Sequence, residues 1–257
     1  IAVKQDFGDS CILRISINEL LSGRFVLSLT IAITALIFSY LIAIPVGIIS
    51  ASTKYASLDQ TLKFISYLGI ALPNFLVALC IMLFMTVYFG DTMTGLFSEE
   101  YENVPWSMDR VQDFLSRAWL PIFVLGWNAT AFALQTVRAL MLDENDKLYV
   151  MAARARGISG MSLLWRYPAK HSLGPVINSI GFDLNRIFSA LPIVALILIL
   201  TEAGALLIEA LARSNDQQLA GAIIFLLTAT IVFVNFVTDI ILAIMDPRIR
   251  KGVMGGN

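Results

Sequence analysis

The sequence predicts an all-α membrane protein. Two bulk properties and one pattern carry that expectation. The 257 residues have a mean hydropathy of +0.78; 58% are hydrophobic and 14% charged, more apolar surface than a water-soluble domain uses. The apolar residues also gather into five long stretches, roughly Phe25–Ile49, Tyr67–Tyr88, Trp119–Met141, Val176–Leu200 and Leu219–Met245. A helix rises about 1.5 Å per residue, so about 20 apolar residues cross a ~30 Å hydrocarbon core. None of the five alternates like a strand and all are too long for one, so each is read as a helical span.

Residues 1–24 read as an external segment before the first span. The chain starts at Ile1 with no basic leader, and a bare N-terminus outside has no export route, so a further helix upstream is expected in the natural protein. Pro45, Pro73 and Pro192 fall inside spans and mark expected kinks. Asn128 opens an Asn-x-Thr pattern inside a span, which excludes a glycosylation site.

Lys and Arg set the orientation. Lys54 and Lys63, then Arg138, Lys147, Arg154, Arg156, Arg166 and Lys170, then Arg248, Arg250 and Lys251 mark one side as cytoplasmic, with the C-terminus. The opposite loops are acidic. Asp91, Glu99, Glu100, Glu102, Asp109 and Asp113 face only Arg110 and Arg117; Glu202, Glu209 and Asp216 face only Arg213. Cys80 lies in an apolar run and Cys11 stands apart, so neither a disulfide framework nor a metal site is expected. His171, the sole histidine, reads as an ordinary loop residue.

The longest cytoplasmic piece is Leu142–Gly174. Asp143, Glu144 and Asp146 suit a helix N-terminus. No breaker interrupts Lys147–Arg156, where Leu148, Ala152 and Ala155 share a face beside Met151, and Arg154 and Arg156 project elsewhere. Gly157 ends that helix, and a second short one runs from Ser162 to Tyr167, stopped near Pro168. Such a segment is either a surface for a soluble partner or a basic loop that only enforces topology. Within the fourth span, Asp183 and Arg186 are neighbours on one helix side, and Asn178, Asn185 and Ser189 share a face with Arg186. That face lines a translocation path, or the charges form a local ion pair that braces the bundle. Asp239 reads as structural.

No phosphate loop G-x-x-x-x-G-K-[ST], no G-x-G-x-x-G, no H-E-x-x-H and no G-x-S-x-G occurs, so the chain is not expected to hydrolyse ATP or act as an enzyme.

The order of residues resembles a known family. "AARARG" at Ala152–Gly157, the short second helix and "HSLGPVINSIG" at His171–Gly181 resemble the EAA loop of ABC importer permeases, in the form of the dipeptide/oligopeptide permease family. In the general motif Glu-Ala-Ala precedes a Gly by four residues; here Met151, Ala152, Ala153 and Gly157 hold those places, and the glutamate is absent, as in many peptide permeases. "DFGDS" at Asp6–Ser10, "IPVGIISA" at Ile44–Ala51, "IALPNFLVA" at Ile70–Ala78 and "DPRIR" at Asp246–Arg250 resemble further family segments in the family's order. "LTEAG" at Leu200–Gly204 departs from the family's Pro-Gly-containing external turn.

The resemblance implies a six-helix type I (MetI-like) permease fold with five helices visible, a permease domain over 25–246 with a coupling loop at 142–174, and a cytoplasmic tail at 247–257 of a bacterial inner-membrane protein. It implies an ATPase contact at Met151, Ala152, Ala153, Arg154, Arg156, Gly157, Ile158 and Ser159. The expected partners are a second homologous permease subunit, two ATP-binding subunits, an external solute-binding protein and membrane lipid, without nucleic acid. The chain itself is expected to bind no cofactor; ATP and Mg belong to the partners. The competing class is a stand-alone secondary transporter of small solutes. Dipeptides, longer peptides, nickel complexes and sugars all remain open as substrate.

Overall fold

The structure, a computed structural model, describes residues 6–52, 56–90, 94–98, 100, 101 and 104–245. Lys54, Asp91, Glu99, Glu102, the "DPRIR" segment Asp246–Arg250, Lys251 and the rest of the 247–257 tail lie outside them. The described residues are helical, without strands: α1 (Ile17–Leu21), α2 (Arg24–Ser50), α3 (Ala56–Ala71), α4 (Asn74–Phe89), α5 (Met108–Asn145), α6 (Leu148–Ala155), α7 (Gly160–Arg166), α8 (Pro168–Asn178), α9 (Ile180–Leu198), α10 (Ala203–Ile208), a π-helical turn (Glu209–Arg213) and α11 (Gln217–Met245). Four described helices are long and apolar enough to cross a membrane, or five if the broken pair Ser57–Ala71 and Asn74–Phe89 counts as one span.

The expected stretches and the helices differ in three places. The second stretch is a pair of helices bent by 100° at the expected proline. Leu72 precedes Pro73, a position that disfavours helical backbone, and Pro73 takes an extended conformation (φ −62°, ψ 142°) at the head of α4. The third extends backward: Met108–Arg117, read as acidic loop, is the first part of the 38-residue α5. Ser107 starts it, its hydroxyl accepting the Arg110 N–H at 3.2 Å, with Asp109 in the first turn. The fourth starts late. Pro168 supplies the first residue of α8, and the chain breaks again at Ser179, whose hydroxyl bonds back to the Val176 carbonyl at 2.8 Å. Asn178 therefore ends α8, while Asn185, Arg186 and Ser189 lie on α9.

The chain divides into two compact units. One comprises Ile1–Ala35, Leu72–Gly126 and Arg186–Thr230; the other comprises Leu36–Ala71, Trp127–Asn185 and Ile231–Asn257.

In the first unit, buried acids organise the loops. Asp216, 1% exposed, caps α11: it accepts the Leu219 N–H at 3.1 Å, the Ile12 N–H at 3.4 Å and the Ser10 hydroxyl. Burial opposes its charge, but these donors together hold its carboxyl below the ordinary range. The Gln218 amide donates to the Phe7 carbonyl at 3.1 Å, and Phe7 packs on Phe225 at 6.1 Å, so residues 7–12 are tied to the head of α11. Glu202 is fully buried and caps α10, accepting from Gly204 and Ala205 N–H at 2.7 and 3.0 Å and from the Ser28 hydroxyl. Burial pushes its carboxyl upward against those bonds. Both acids were read as charges of an acidic loop; each is a buried cap.

In the second unit, helices approach through small residues. A Cβ on Gly47 would lie 2.8 Å from Val137 of α5, and one on Gly69 would lie 2.8 Å from Ala131. The core joins Ile48, Ala51, Val137, Met141, Leu164, Ala169 and Val176. Arg138, expected as a loop cation, sits within α5 and grips Asp59 of α3 with both Nε (2.6 Å) and Nη2 (2.9 Å); Ser50 of α2 and Lys63 also reach Asp59, at 2.5 and 2.7 Å.

Two measurements check this packing. Gly47→Leu should destabilise the protein by about 1–3 kcal/mol through overpacking against Val137, read as a lower midpoint of thermal unfolding in detergent. Asp216 has a lowered carboxyl in the folded state, so its stabilisation is complete above the ordinary carboxylate range and is lost as pH falls through the folded value. Acidification should therefore expose residues 7–12 to protease, and Asp216→Asn should expose them at neutral pH.

Candidate functional site

The site is the elbow formed by α6 and α7. The two helices pack on a small core of Val150, Ala153 and Leu163, with Tyr149, Ile158 and Tyr167 against it. Ala153 and Val150 are fully buried. Gly157 makes the bend, with φ +85°, a conformation glycine adopts without strain. The Ile158 N–H returns to the Ala153 carbonyl at 3.2 Å and the Gly157 N–H to Arg154 at 2.9 Å. This is the Schellman pattern of helix closure, and Ile158 provides its hydrophobic contact. Ser159 begins α7 in extended conformation.

The outward side of α6 is apolar and uncovered. Leu148 is 80% exposed and Met151 47%; Ala152 and Ala155 are exposed as well. This is the face expected from the spacing i, i+4, i+7. From α7, Met161 and Trp165 add exposed apolar surface (39% and 46%). The expected contact residues therefore separate. Met151 and Ala152 lie on the outward face, and Arg156, Gly157 and Ser159 are exposed at the bend. Ala153 faces inward, Ile158 is half-buried, and Arg154, exposed, donates to the Asn145 side chain at 2.8 Å.

Glu144, Asn145 and Tyr149 form the joint between α5 and the elbow, a role the sequence did not show for any of them. Glu144 was expected at a helix N-terminus; it lies in the last turn of α5, where a carboxylate opposes the helix dipole. The Tyr149 hydroxyl donates to it at 2.5 Å. Burial, reinforced by this carboxylate, pushes the Tyr149 hydroxyl well above the usual phenol range. The Tyr149 ring also rests on His171 of α8, with centroids 5.0 Å apart. Asn145, 9% exposed, receives Arg154. Spacing identifies the faces of α6 but cannot show that its inward face meets the helix before it.

The polar residues of the fourth stretch differ in burial. Asp183 is buried and accepts the Tyr40 hydroxyl at 2.6 Å, with Ser179 3.0 Å from the same hydroxyl, so it ties α9 to α2. Asn185 and Ser189 are exposed, Arg186 is half-buried, and Asn178 is exposed on α8. Asp239 is exposed near the end of α11.

The fold and the order of these segments have known counterparts. The chain is similar to the oligopeptide transport system permease protein AppB of Bacillus subtilis (strain 168), with 29% identity over 250 residues, 96% of this chain and 77% of that protein. It is similar to the putrescine export system permease protein SapB of Escherichia coli (strain K12), with 27% identity over 262 residues, 96% of this chain and 81% of that protein. A solved structure titled for inward-facing conformations of the MetNI methionine ABC transporter shares the fold, with a TM-score of 0.69 at 17% identity, covering 88% of this chain and 96% of that one. The MetI-like architecture expected from the resemblance is thus the one observed. The family described as "Binding-protein-dependent transport system inner membrane component" matches residues 43–251, from the end of α2 through the elbow and past α11. A chain matched over that length belongs to this family, the multi-pass inner-membrane permease subunits of ATP-binding-cassette importers.

Proposed function

We propose that this permease subunit forms, with a second permease, the translocation path for peptides, and that the elbow seats against an ATP-binding subunit. The observation that carries the coupling role is the uncovered apolar face of α6 on a rigid, Schellman-closed support. Leu148, Met151, Ala152 and Ala155 offer an apolar ridge that fits a partner's groove; exposed Arg156 supplies charge at its edge. Met151 stands where the general motif has glutamate, so this contact is apolar at its centre. ATP and Mg act in the partner subunits. A ligand shifts a two-state equilibrium only by its differential affinity for the two states, and a rigid helix hands that difference to the spans. Two ATP-binding subunits and an external solute-binding protein complete the assembly, with the basic elbow and the C-terminus on the cytoplasmic side.

Peptides are favoured because the resemblance to AppB covers 96% of the chain and AppB is named for oligopeptides. The name of SapB favours a polyamine as the second reading. Exposed Asn185 and Ser189 on α9 are the side chains we assign to the path. A stand-alone secondary transporter has no use for a docking face of this kind.

Ala152→Trp and Ala155→Trp should insert normally yet fail to co-purify with the ATP-binding subunit and lose uptake; unchanged association would overturn the docking role. Uptake by the reconstituted assembly should stop when ATP is withheld; uptake driven by an ion gradient alone would restore the secondary transporter. Calorimetry of the solute-binding partner against di- to hexapeptides and putrescine should give heat only with peptides.

A further inference from the structure

The outward face of α6 explains contact with a partner. It does not explain how displacement of an eight-residue helix reaches a span. The inward face does. Between α5 and α6 lie only Asp146 and Lys147, and two side-chain bonds close over that joint. The Tyr149 hydroxyl donates to Glu144 at 2.5 Å, from the first turn of α6. The Arg154 guanidinium donates to Asn145 at 2.8 Å, from its last turn. The two donors are five residues apart on the helix, about 7.5 Å of rise. One bond would leave α6 free to pivot about it; two bonds at opposite ends fix the direction of its axis relative to α5. The Tyr149 ring then adds a third support on His171, joining α8 to the same joint. Asn145 is almost fully buried, so its amide loses a partner at a real desolvation cost if Arg154 lets go. Below the joint, α5 is one continuous helix, and Arg138, six residues before Glu144, grips Asp59 of α3 bidentately. The residues that fasten α6 to α5 are distinct from those on the outward face.

We infer that Tyr149, through Glu144, and Arg154, through Asn145, are positioning residues that lock the elbow to the end of α5, so that a push on α6 becomes a tilt of α5. This rests on the docking role proposed above and adds the route by which force leaves the elbow. A partner bound to an unlocked α6 would turn that helix against the end of α5, and less of the push would reach the spans through the remaining contact of Leu164 with Val137 and Met141. Unlocking therefore separates transport from ATP hydrolysis, and it leaves docking in place.

The test uses the full assembly reconstituted in vesicles, comparing wild type with Tyr149→Phe, Asn145→Ala and both together. Tyr149→Phe removes one hydroxyl and keeps the ring on His171, so the elbow core is retained. Glu144→Gln keeps an acceptor for the phenol and serves as the conservative control. Co-purification with the ATP-binding subunit and hydrolysis of ATP should persist in every variant. Solute transported per ATP hydrolysed should fall at least about fivefold in the double variant, the lower end of ordinary coupling energies, and stay near wild type in Glu144→Gln. An unchanged ratio in the double variant would overturn the inference. So would loss of transport in proportion to loss of the bound subunit, because the residues would then only shape the docking face. A wild-type chain that binds no ATP-binding subunit would overturn the docking role and this inference together.

Discussion

Ala153 is buried between Val150 and Leu163, and the elbow depends on its small side chain. A methyl group lets α6 lie against α7 closely enough for Ile158 to reach the same core and for the helix end to close on Gly157. Closure removes orphan carbonyls at the end of a helix too short to be stable alone. The outward residues can then be small and apolar without collapsing inward, because the inward positions are already filled. A flexible loop of the same composition would present the same atoms in no fixed arrangement.

The same economy of small residues appears within the membrane-spanning part. Lipid offers no hydrophobic drive for helix association, so close backbone approach has to come from side chains that are nearly absent. Gly47 under Val137 and Gly69 under Ala131 provide it in the second unit. Polar bonds then select one arrangement among many that would pack: Arg138 on Asp59, and Tyr40 on Asp183. In the first unit, Glu202 and Asp216 do comparable work as caps, each accepting backbone N–H groups that would otherwise be buried without a partner. The "LTEAG" segment, where the sequence departs from the family's pattern, carries one of them. Its acid holds α10 to α2 through Ser28.

Prolines decided where helices stop, and the sequence ranked them poorly. Pro73 separates α3 from α4, Pro168 opens α8, and Pro45, Pro121 and Pro192 are accommodated inside longer helices. The residue type is the same in all five. Whether neighbouring groups take over the lost hydrogen bond depends on packing that no single segment contains.

Hydropathy and spacing by themselves determined the class of the protein, four of the span centres, the existence of α6 and α7, and the left-handed glycine between them. These follow from interactions within a few residues: apolar length against bilayer thickness, the period of a helix, and the one residue that bends backward cheaply. Only the tertiary structure decided that Asp183 meets Tyr40, that Arg138 meets Asp59, that Glu202 and Asp216 are buried, and which side of α6 is spoken for. Each of those depends on partners far apart in the chain or on the packing of whole helices. A charge reads alike in sequence whether it faces water or a partner, since the energy that distinguishes the two cases comes from the surroundings.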